Sequence, residues 1–419
     1  MSNDNLNAVY DARTLGKPRM LALGVQHMFA MFGATVLVPQ LTGLSVSSTL
    51  LFAGIGTLIF HFFTKGKVPA FLGSSFAFLA GYMTIASNGE KHLLPYACLG
   101  VACSAALYFL LAVLVKVFGV KKVMRFFPPV VTGPIIISIG LTLSQSAVDN
   151  CSRNWLVAFS AVLVIVACVI WGRGMIKIIP ILLAAVVSYV FAGILGEVDF
   201  TSVKNATWIG LPVLKENTVF AIFENPDTSL IITSIVTIVP IAIATMMEHI
   251  GDIAAISSTV NRNYFENPGL HRTLFGAPAN TTYGENTGVL TLSRVYDPRV
   301  IRIAAVIAIL FSFSPKFAAL ISAMPAATCG GISIVLYGMI SAVGVRNIVE
   351  SQVDFKNSRN VIIAALILVL SIGIKYSSAG AVNIHIGGLT LGLSGLATGA
   401  LIGIILNMLL PEKKASEKE

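Results

Sequence analysis

Apolar runs close to the length of a bilayer-crossing helix recur along the whole chain. Such a helix needs about 20 residues. Runs near that length lie at Met20–Leu41, Ser47–Phe63, Leu93–Val115, Val130–Val148, Trp155–Trp171, Ile178–Leu195, Ser229–His249, Val300–Phe313, Phe317–Val345, Val361–Ile374 and Leu389–Leu410. Charged residues make up only 11% of the 419-residue sequence, less than half of the roughly 25% usual in soluble chains. The pattern predicts an all-α polytopic membrane protein.

The same composition excludes several other classes of protein. A chain this apolar is neither disordered nor suited to binding nucleic acid. Its five cysteines lack the C-x-x-C spacing of a metal site or a redox motif, so we expect no metal and no cofactor. The polar segment Met1–Arg19 lacks the apolar core of a cleaved signal, and the first run is therefore expected to remain as a helix.

The basic residues set the expected orientation, because cytoplasmic loops are enriched in lysine and arginine. If crossings alternate from a cytoplasmic N-terminus, 22 of the 28 basic residues lie inside. The others fall outside: Lys91, Arg153, Lys204, Lys215, Lys316 and Lys375. The acid-rich loop Gly196–Asp227 also falls outside. Both termini are therefore expected to be cytoplasmic.

One region of the second half does not fit a simple alternation of crossings. Arg262 and Arg272 are expected inside, and so is the basic cluster that begins at Arg294, so an even number of crossings must separate them. Asn280–Ser293 can supply one crossing, but the remaining stretch, Thr273–Ala279, is far too short for another. Either a re-entrant segment lies here or this chain lacks a helix.

Short motifs repeat in the same order in the two halves of the sequence. Pro69–Phe76 aligns with Pro278–Glu285, 209 residues later, and Pro129 aligns with Pro325, 196 residues later. A half with an odd number of crossings is inserted upside down relative to its copy. The order of the motifs therefore predicts an inverted repeat.

Two stretches, Pro69–Ile85 and Asn280–Ser293, are too polar for lipid-facing helices. Their Gly, Ser, Thr and Pro content disfavours continuous helix and leaves backbone N–H groups free. Free backbone groups are tolerated at membrane depth only around a cavity. We expect the two interrupted segments to meet at mid-membrane and to form the binding site there.

Three acidic side chains lie within or beside these apolar stretches. Glu248 and Asp252 share one helix face through their i, i+4 spacing, and Glu285 lies in the second interrupted segment. A carboxylate at membrane depth is costly unless it is hydrated, paired or protonated, so it is a candidate functional group. The alternative is that Glu248 and Asp252 cap a helix at the membrane interface. Gln26 and His27 also need polar partners, and we expect a supporting network for them.

Four motifs carry a resemblance to a known family. They read QHMFAMFGA, GSSFAF, EHIGD and NTTYGENTG, and lie at Gln26–Ala34, Gly73–Phe78, Glu248–Asp252 and Asn280–Gly288. In this order they resemble the nucleobase–ascorbate transporters, and within that family the bacterial uracil permeases, which are uracil:proton symporters. The family signature Gln/Glu-Asn-x-Gly appears as Glu285–Gly288.

The resemblance implies a fold of 14 transmembrane segments in two inverted sevens, of which the third and tenth are part strand and part helix. A core domain would comprise residues 1–119 and 228–313, and a gate domain residues 120–227 and 314–419 with the cytoplasmic tail. The family has a ninth helix after Arg272. This chain is roughly a dozen residues short of a full span there, so we expect the ninth segment to be truncated.

The resemblance also implies a set of site residues. Substrate contacts are expected from the backbone amides of Phe76 and Gly284 and the carboxylates of Glu248 and Glu285. The residues expected to line the pocket are Ala34, Tyr283 and Tyr337. Proton coupling is expected from Glu248 and Asp252, with support from Gln26, His27 and Asn286.

The implied function is proton-coupled import of uracil by alternating access across the inner (cytoplasmic) membrane. The expected partners are uracil or a related nucleobase, protons, the lipid bilayer and a second copy of the chain in a homodimer. Asp252 stands where the uracil permease pattern has histidine and several purine-transporting relatives have aspartate, so a xanthine or urate permease is an alternative.

Two further classes are weaker alternatives. An anion exchanger of the same fold would be expected to place a cation or bare helix ends at the site, rather than two glutamates. An intramembrane hydrolase would need a nucleophile or a set of metal ligands, and Glu248-His249 is not within an H-E-x-x-H zinc motif. We therefore expect a transporter and no enzyme.

Overall fold

The computed structural model describes residues 8–86, 90–213, 215, 218–224, 226–386 and 389–411, without the side chains of Ala34, Met175, Ile178 and residues 384–391. The helices of the first half are α1 (Lys17–Thr42), α2 (Val46–Phe63), α3 (Leu79–Ile85), α4 (Leu94–Phe118), α5 (Val120–Met124), α6 (Pro129–Cys151), α7 (Trp155–Ile170), α8 (Met175–Ile178), α9 (Pro180–Ile194) and α10 (Thr201–Asn205).

The second half is also mainly helical. Its helices are α11 (Thr228–Ile238), α12 (Ala242–Val260), α13 (Leu270–Gly276), α14 (Gly284–Ser293), α15 (Pro298–Ser312), α16 (Pro315–Ser322), α17 (Ala326–Glu350), α18 (Ser358–Tyr376) and α19 (Gly395–Leu409). The strands are β1 (Leu72–Gly73), β2 (Thr281–Thr282), β3 (Ala381–Ile386) and β4 (Leu389–Ser394). Short 3-10 turns lie at Ala12–Leu15, Phe76–Phe78, Val219–Phe223 and Val239–Ile241, and a distorted turn at Phe265–Gly269.

Residues that satisfy free backbone groups set the helix ends. Asn154 accepts hydrogen bonds from two amides of the first turn of α7, and Asp227 does the same for α11. Gly43 ends α1 in a left-handed conformation, with φ of 78°, and returns its N–H to the carbonyl of Pro39. These N-caps and the glycine C-cap are the local signals that stop one apolar run and start the next.

The membrane-crossing helices confirm the predicted fold. Within the described ranges, seven helical stretches are long and apolar enough to cross a membrane, with α11 and α12 counted as one, or eight if the bent pair α15 and α16 is included. Four shorter apolar helices, at Phe76–Ile85, Trp155–Ile170, Pro180–Ile194 and Gly395–Leu409, together with the short helices α13 and α14, complete two sets of seven segments. The first set is α1, α2, β1 with Phe76–Ile85, α4, α6, α7 and α9, and the second is α11–α12, α13, β2 with α14, α15, α17, α18 and α19.

The pairing of β1 with β2 has the symmetry that an inverted repeat requires. The strands are antiparallel, with Leu72 opposite Thr282 and Gly73 opposite Thr281. At the predicted offset of 209, Thr281 is the equivalent of Leu72 and Thr282 that of Gly73. Leu72 therefore pairs with the equivalent of Gly73, and Gly73 pairs with the equivalent of Leu72. A two-fold axis between the strands, which exchanges the two halves, requires this arrangement.

Helix packing follows the same symmetry. The α6 helix packs most extensively on α17, and these are the helices that begin near the aligned Pro129 and Pro325. The α2 helix packs on α15, and its counterpart α13 packs on α4. The α7 helix packs on α9, and α18 on α19. One group of helices therefore surrounds the strand pair, and another is built around α6 and α17.

The ninth segment is truncated, as predicted. Helix α13 has seven residues (Leu270–Gly276), whereas its counterpart α2 has 18. Lys67, after α2, donates to Asn267, before α13, at 2.5 Å. Val9, before α1, bonds to Arg294, after α14. Because α1 and α2 are antiparallel neighbours, the start of α1 and the end of α2 lie on the same side of the membrane. The start of α13 and the end of α14 contact these two ends, so the chain enters the membrane through α13 and leaves it through α14 on that same side. The region is therefore a re-entrant hairpin, in which the shortened helix α13 replaces a full crossing.

Two of the predicted runs are wrong in their boundaries. The run Phe317–Val345 is divided between α16 and α17 around Pro325, which cannot continue a helix from the preceding turn. The run Leu389–Leu410 begins as strand β4, which pairs with β3, before α19 starts. Alternating apolar and small or polar residues around Gly387-Gly388 are typical of a hairpin, and the all-α prediction missed this signal.

A segment before α1 fastens several helix ends together, and we call residues 8–16 the N-terminal strap. The amide of Val9 donates to the carbonyl of Arg294, and the Tyr10 hydroxyl donates to the carbonyl of Val260, where α12 ends. The amide of Ala12 donates to Asp297 at 2.7 Å. The strap therefore joins the ends of α12 and α14 to the starts of α1 and α15.

The charges of the strap form a small network. Arg13 donates to the Asp11 carboxylate at 2.6 Å and holds the pKa of Asp11 at about 2, and Arg299 lies 3.0 Å from the same carboxylate. Arg299 also donates to Asp297, whose side chain is only 4% exposed. Asp11 therefore stays ionised at any physiological pH, and the network does not depend on pH there.

The crossing of the two interrupted segments is tightly packed. The ring of Tyr283 stacks on Phe71, and its hydroxyl accepts from Thr35 at 3.3 Å. A Cβ atom added at Gly73 would lie 2.0 Å from the Tyr283 hydroxyl oxygen and 2.3 Å from the ring carbon that carries it. Only glycine allows this approach between the strand and the ring.

We expect Gly73→Ala to destabilise the protein, because Tyr283 must move within a packed crossing, and overpacking of this kind costs about 1–3 kcal/mol. The melting temperature of the purified protein in detergent should fall by several degrees. The matched control is Gly373→Ala in α18, where an added Cβ meets nothing within 4 Å. Equal melting temperatures for the two variants would show that the crossing is not close-packed.

Candidate functional site

Two helices lead away from the strand crossing, and their first residues lie beside it. Phe76 begins the helical stretch Phe76–Ile85 after two residues that follow β1, and Gly284 begins α14 after one residue that follows β2. The first N–H groups of a helix have no partner within it, and the helix dipole makes that end positive. The crossing therefore brings backbone donors from both halves of the chain together.

Ser75 joins one of these helix starts to Glu248. Its hydroxyl oxygen accepts from the amide of Ala77, capping the helix, and donates to Glu248 Oε2 at 2.7 Å. Ser75 is buried and Glu248 is half-buried. One hydroxyl thus fixes both the start of the helix and the direction of a carboxylate from α12.

Asp252 is anchored in a similar way on the other strand. Its Oδ2 atom accepts from the Thr282 hydroxyl at 2.8 Å. Both carboxylates lie inside α12, which runs from Ala242 to Val260, so the alternative that they cap a helix is wrong. Glu285 lies in the first turn of α14, the helix that starts beside the same crossing. Three carboxylates therefore converge on the crossing.

Helix α14 presents an open face beside Glu285. Gly284 and Gly288 are exposed, and a Cβ atom added at either would meet nothing within 4 Å. They are four residues apart and so lie on the same side of the helix. Glu285, next to Gly284, is half-buried. A small molecule could approach the helix backbone closely along this face.

Residues of other helices border the crossing. Tyr337 in α17 makes an edge-to-face ring contact with Phe76, with centroids 5.7 Å apart. Both side chains are buried. Tyr283, predicted to line the pocket, has its side chain buried against Phe71 and Gly73 within the crossing. Ala34, predicted with it, lies in α1, but its side chain is outside the described part of the structure.

The predicted supporting residues connect α1 to α14. The side-chain amide of Asn286 donates to the carbonyl oxygen of His27 at 3.0 Å and lies 3.1 Å from His27 Nδ1. His27, Asn286 and the neighbouring Gln26 are buried. The contact holds the helix of Glu285 against α1, in line with the network role expected for His27.

Further polar residues, which were not predicted as site residues, complete the crossing. Thr57 in α2 accepts from the amide of Leu72 at 3.0 Å. The Tyr108 hydroxyl in α4 donates to Thr245 at 2.8 Å and to the carbonyl of Asn280 at 3.2 Å. Ser75 and Thr282 belong with them. The signal of Ser75 and Thr282 in the sequence was a hydroxyl side chain within an interrupted segment. Thr57 and Tyr108 lie in continuous apolar helices, where nothing in the sequence distinguishes them.

The arrangement combines carboxylate acceptors with backbone donors in one half-buried region. It can recognise a small polar molecule that presents both N–H groups and carbonyl groups. Within the described ranges, no group of three or more His, Cys, Asp or Glu side chains is placed to hold a metal ion.

The sequence was compared with those of known proteins. The profile of the Permease family matches residues 18–380. The uracil permease of Bacillus subtilis (strain 168) is 37% identical, over 95% of this chain and 94% of that protein. The uracil permease of Bacillus caldolyticus is 40% identical, over 96% and 94%. That of Escherichia coli (strain K12) is 36% identical, over 93% and 90%.

Solved structures share the fold at much lower identity. The transmembrane domain of the cyanobacterial bicarbonate transporter BicA has a TM-score of 0.56 at 14% identity, covering 96% of this chain and 99% of that one. SLC26A9 has a TM-score of 0.57 at 11% identity, covering 95% and 66%. These likenesses concern the fold alone. The sequence match settles the family: this integral membrane protein belongs to the Permease family, and its resemblance to the nucleobase–ascorbate transporters is confirmed.

Proposed function

We propose that the protein imports uracil by proton-coupled symport, through alternating access across the cytoplasmic membrane. Relatives at 36–40% identity over nearly the whole chain are uracil permeases. The observation that carries the proposal is the meeting of two helix starts with Glu248 and Glu285 at the strand crossing.

The chemistry of uracil suits these groups. Uracil is a neutral planar ring with two N–H donors and two carbonyl acceptors. The carboxylates of Glu248 and Glu285 would accept from the ring N–H groups, and the amides of Phe76 and Gly284 would donate to its carbonyls. The open face at Gly284 would let the ring approach the backbone. Tyr337 and Ala34 would border the ring, and Tyr283 would hold the crossing beneath it.

Alternating access would come from movement between two domains. The core domain would comprise residues 1–119 and 228–313, and the gate domain residues 120–227 and 314–419. The packing of α6 on α17 supports a separate gate unit, since these helices belong to opposite halves of the chain. The contact of Tyr337 with Phe76 would then lie between gate and core, next to the substrate.

Orientation and assembly complete the proposal. The strap, the end of α2 and the re-entrant hairpin share one side, where the arginine and lysine distribution predicts the cytoplasm. Both termini would therefore be cytoplasmic. A homodimer is the assembly that the family resemblance suggests.

Proton coupling is assigned to Glu248 together with Asp252. A symporter needs a group whose proton affinity depends on substrate occupancy, and binding then depends on pH by reciprocity. Asp252 places a second carboxylate one turn from Glu248 on the same helix, and two carboxylates this close would share one proton. The contact of Asp252 with Thr282 would connect this proton to the strand beside the substrate.

A purine substrate is the second candidate. Asp252 stands where several purine-transporting relatives have aspartate, so xanthine or urate would use the same carboxylates and amides. Uptake of labelled uracil into proteoliposomes, with xanthine and urate as competitors, separates the two. Stronger inhibition by unlabelled xanthine than by unlabelled uracil would favour the purine.

We expect Glu285→Ala to weaken uracil binding at least tenfold. The substitution would leave a ring N–H unpaired in a desolvated site, which costs about 1–3 kcal/mol. Calorimetric titration of the purified protein measures the change. The matched control is Thr291→Ala on the same helix, whose exposed hydroxyl only donates to the carbonyl of Thr287. Wild-type affinity in Glu285→Ala would refute the contact.

Uptake into proteoliposomes should follow an inward proton gradient and collapse when a protonophore is added. Asp252→Asn keeps an acceptor for Thr282 but removes the second carboxylate, so we expect the pH profile of uptake to move toward acid. Thr282→Val removes the hydrogen bond to Asp252 and keeps its carboxylate, so this variant controls for a change in the position of the Asp252 side chain. Uptake that follows a sodium gradient and ignores the protonophore would exclude proton coupling.

A further inference from the structure

An apolar cavity of about 200 Å³ lies apart from the carboxylate site, and we call it the seam cavity. Its walls come from α1 and α15 on one side and from α9, α16 and α17 on the other. Phe32 and Gly33 of α1, Ala185 of α9 and Ile332 of α17 are among its lining residues. The cavity therefore lies between the group of helices around the strand pair and the group around α6 and α17.

The lining of the seam cavity excludes water and polar ligands. Its side chains are apolar apart from the hydroxyl of Tyr189, which is already engaged with the carbonyl of Leu320 at 3.0 Å. An apolar cavity of about 150 Å³ stays dry and takes up apolar molecules. An empty space of this size also forfeits dispersion contacts for every atom of its lining.

The mouth of the cavity opens toward the lipid-facing surface. Val186 and Leu320 both line the cavity and are 52% and 40% exposed, so the entrance lies between α9 and α16. Around it, α9 exposes an apolar face with Val187, Val190 and Ile194. In an integral membrane protein such a face is in contact with acyl chains, and these are the molecules present at the entrance.

The start of α16 provides a position for a headgroup above this entrance. The ammonium group of Lys316, one residue before the cavity-lining Phe317, lies 5.0 Å from the centroid of the Trp208 ring. Trp208 is 74% exposed. Tryptophan and lysine together are typical of the membrane–water interface, so a phospholipid phosphate at that level would meet a positive charge.

We propose that an acyl chain of a bilayer phospholipid enters between α9 and α16 and fills the seam cavity. The inference concerns a lipid site and does not depend on the nature of the transported substrate. In the cavity, the acyl chain supplies the dispersion contacts that the lining side chains of the two groups of helices lack. It also places a deformable hydrocarbon at a junction where the proposed transport cycle requires movement.

Fluorescence quenching by brominated lipid tests this proposal. Trp155, Trp171 and Trp208 are replaced by phenylalanine, and a single tryptophan is introduced as Phe32→Trp, a lining position only 9% exposed. The protein is reconstituted in phosphatidylcholine brominated at the middle of one acyl chain. Phe159→Trp, on a 55% exposed position, is the lipid-facing reference, and Phe60→Trp, on a fully buried position outside the cavity, is the protected reference.

We expect Phe32→Trp to be quenched like Phe159→Trp and unlike Phe60→Trp. Adding Ala185→Phe, which fills the cavity, should abolish this quenching, whereas Val187→Phe, outside the cavity on the same helix, should leave it unchanged. If Phe32→Trp does not fold, Phe317→Trp takes its place. Quenching no greater than that of Phe60→Trp, or quenching that persists with Ala185→Phe, would overturn the proposal.

Discussion

The structure depends on one constraint, which is that backbone polar groups cannot be left unpaired at membrane depth. Each interrupted segment supplies hydrogen-bond partners for some backbone groups of the other, through the pairing of Leu72 with Thr282 and of Gly73 with Thr281. Side chains of neighbouring helices supply the rest, as Thr57 does for Leu72. Neither half of the chain can complete this pairing alone. The inverted repeat provides one interrupted segment from each half.

The same crossing also determines the chemistry of the site. Helices must restart after the strands, so their free amides point into the region where the strands end. Ser75 shows how closely support and function are combined, because it caps one helix start and holds Glu248 at 2.7 Å. A change in the packing of Tyr283 against Phe71 and Gly73 would therefore shift these donors and acceptors together.

Local patterns in the sequence predicted much of the architecture. The apolar runs, the offset between Pro69–Phe76 and Pro278–Glu285, and the three acids at the crossing were all readable. The contact of Ser75 with Glu248 was not, because it joins residues 173 positions apart through tertiary packing. The division between α16 and α17 was missed because hydropathy continues across the break. Charge parity located the short segment at α13, but choosing the re-entrant alternative required its contacts with neighbouring helices.

The N-terminal strap has a consequence for the order in which the protein assembles. Its partners Val260, Arg294 and Asp297 lie about 250 to 285 residues later in the chain. During synthesis the strap must therefore wait for these partners while most of the membrane helices are inserted. The strap can form its contacts only after α15 has been synthesised. It then joins the start of α1, which is synthesised early, to the ends of helices that are synthesised late. Docking of the strap is thus among the late steps in forming the native protein.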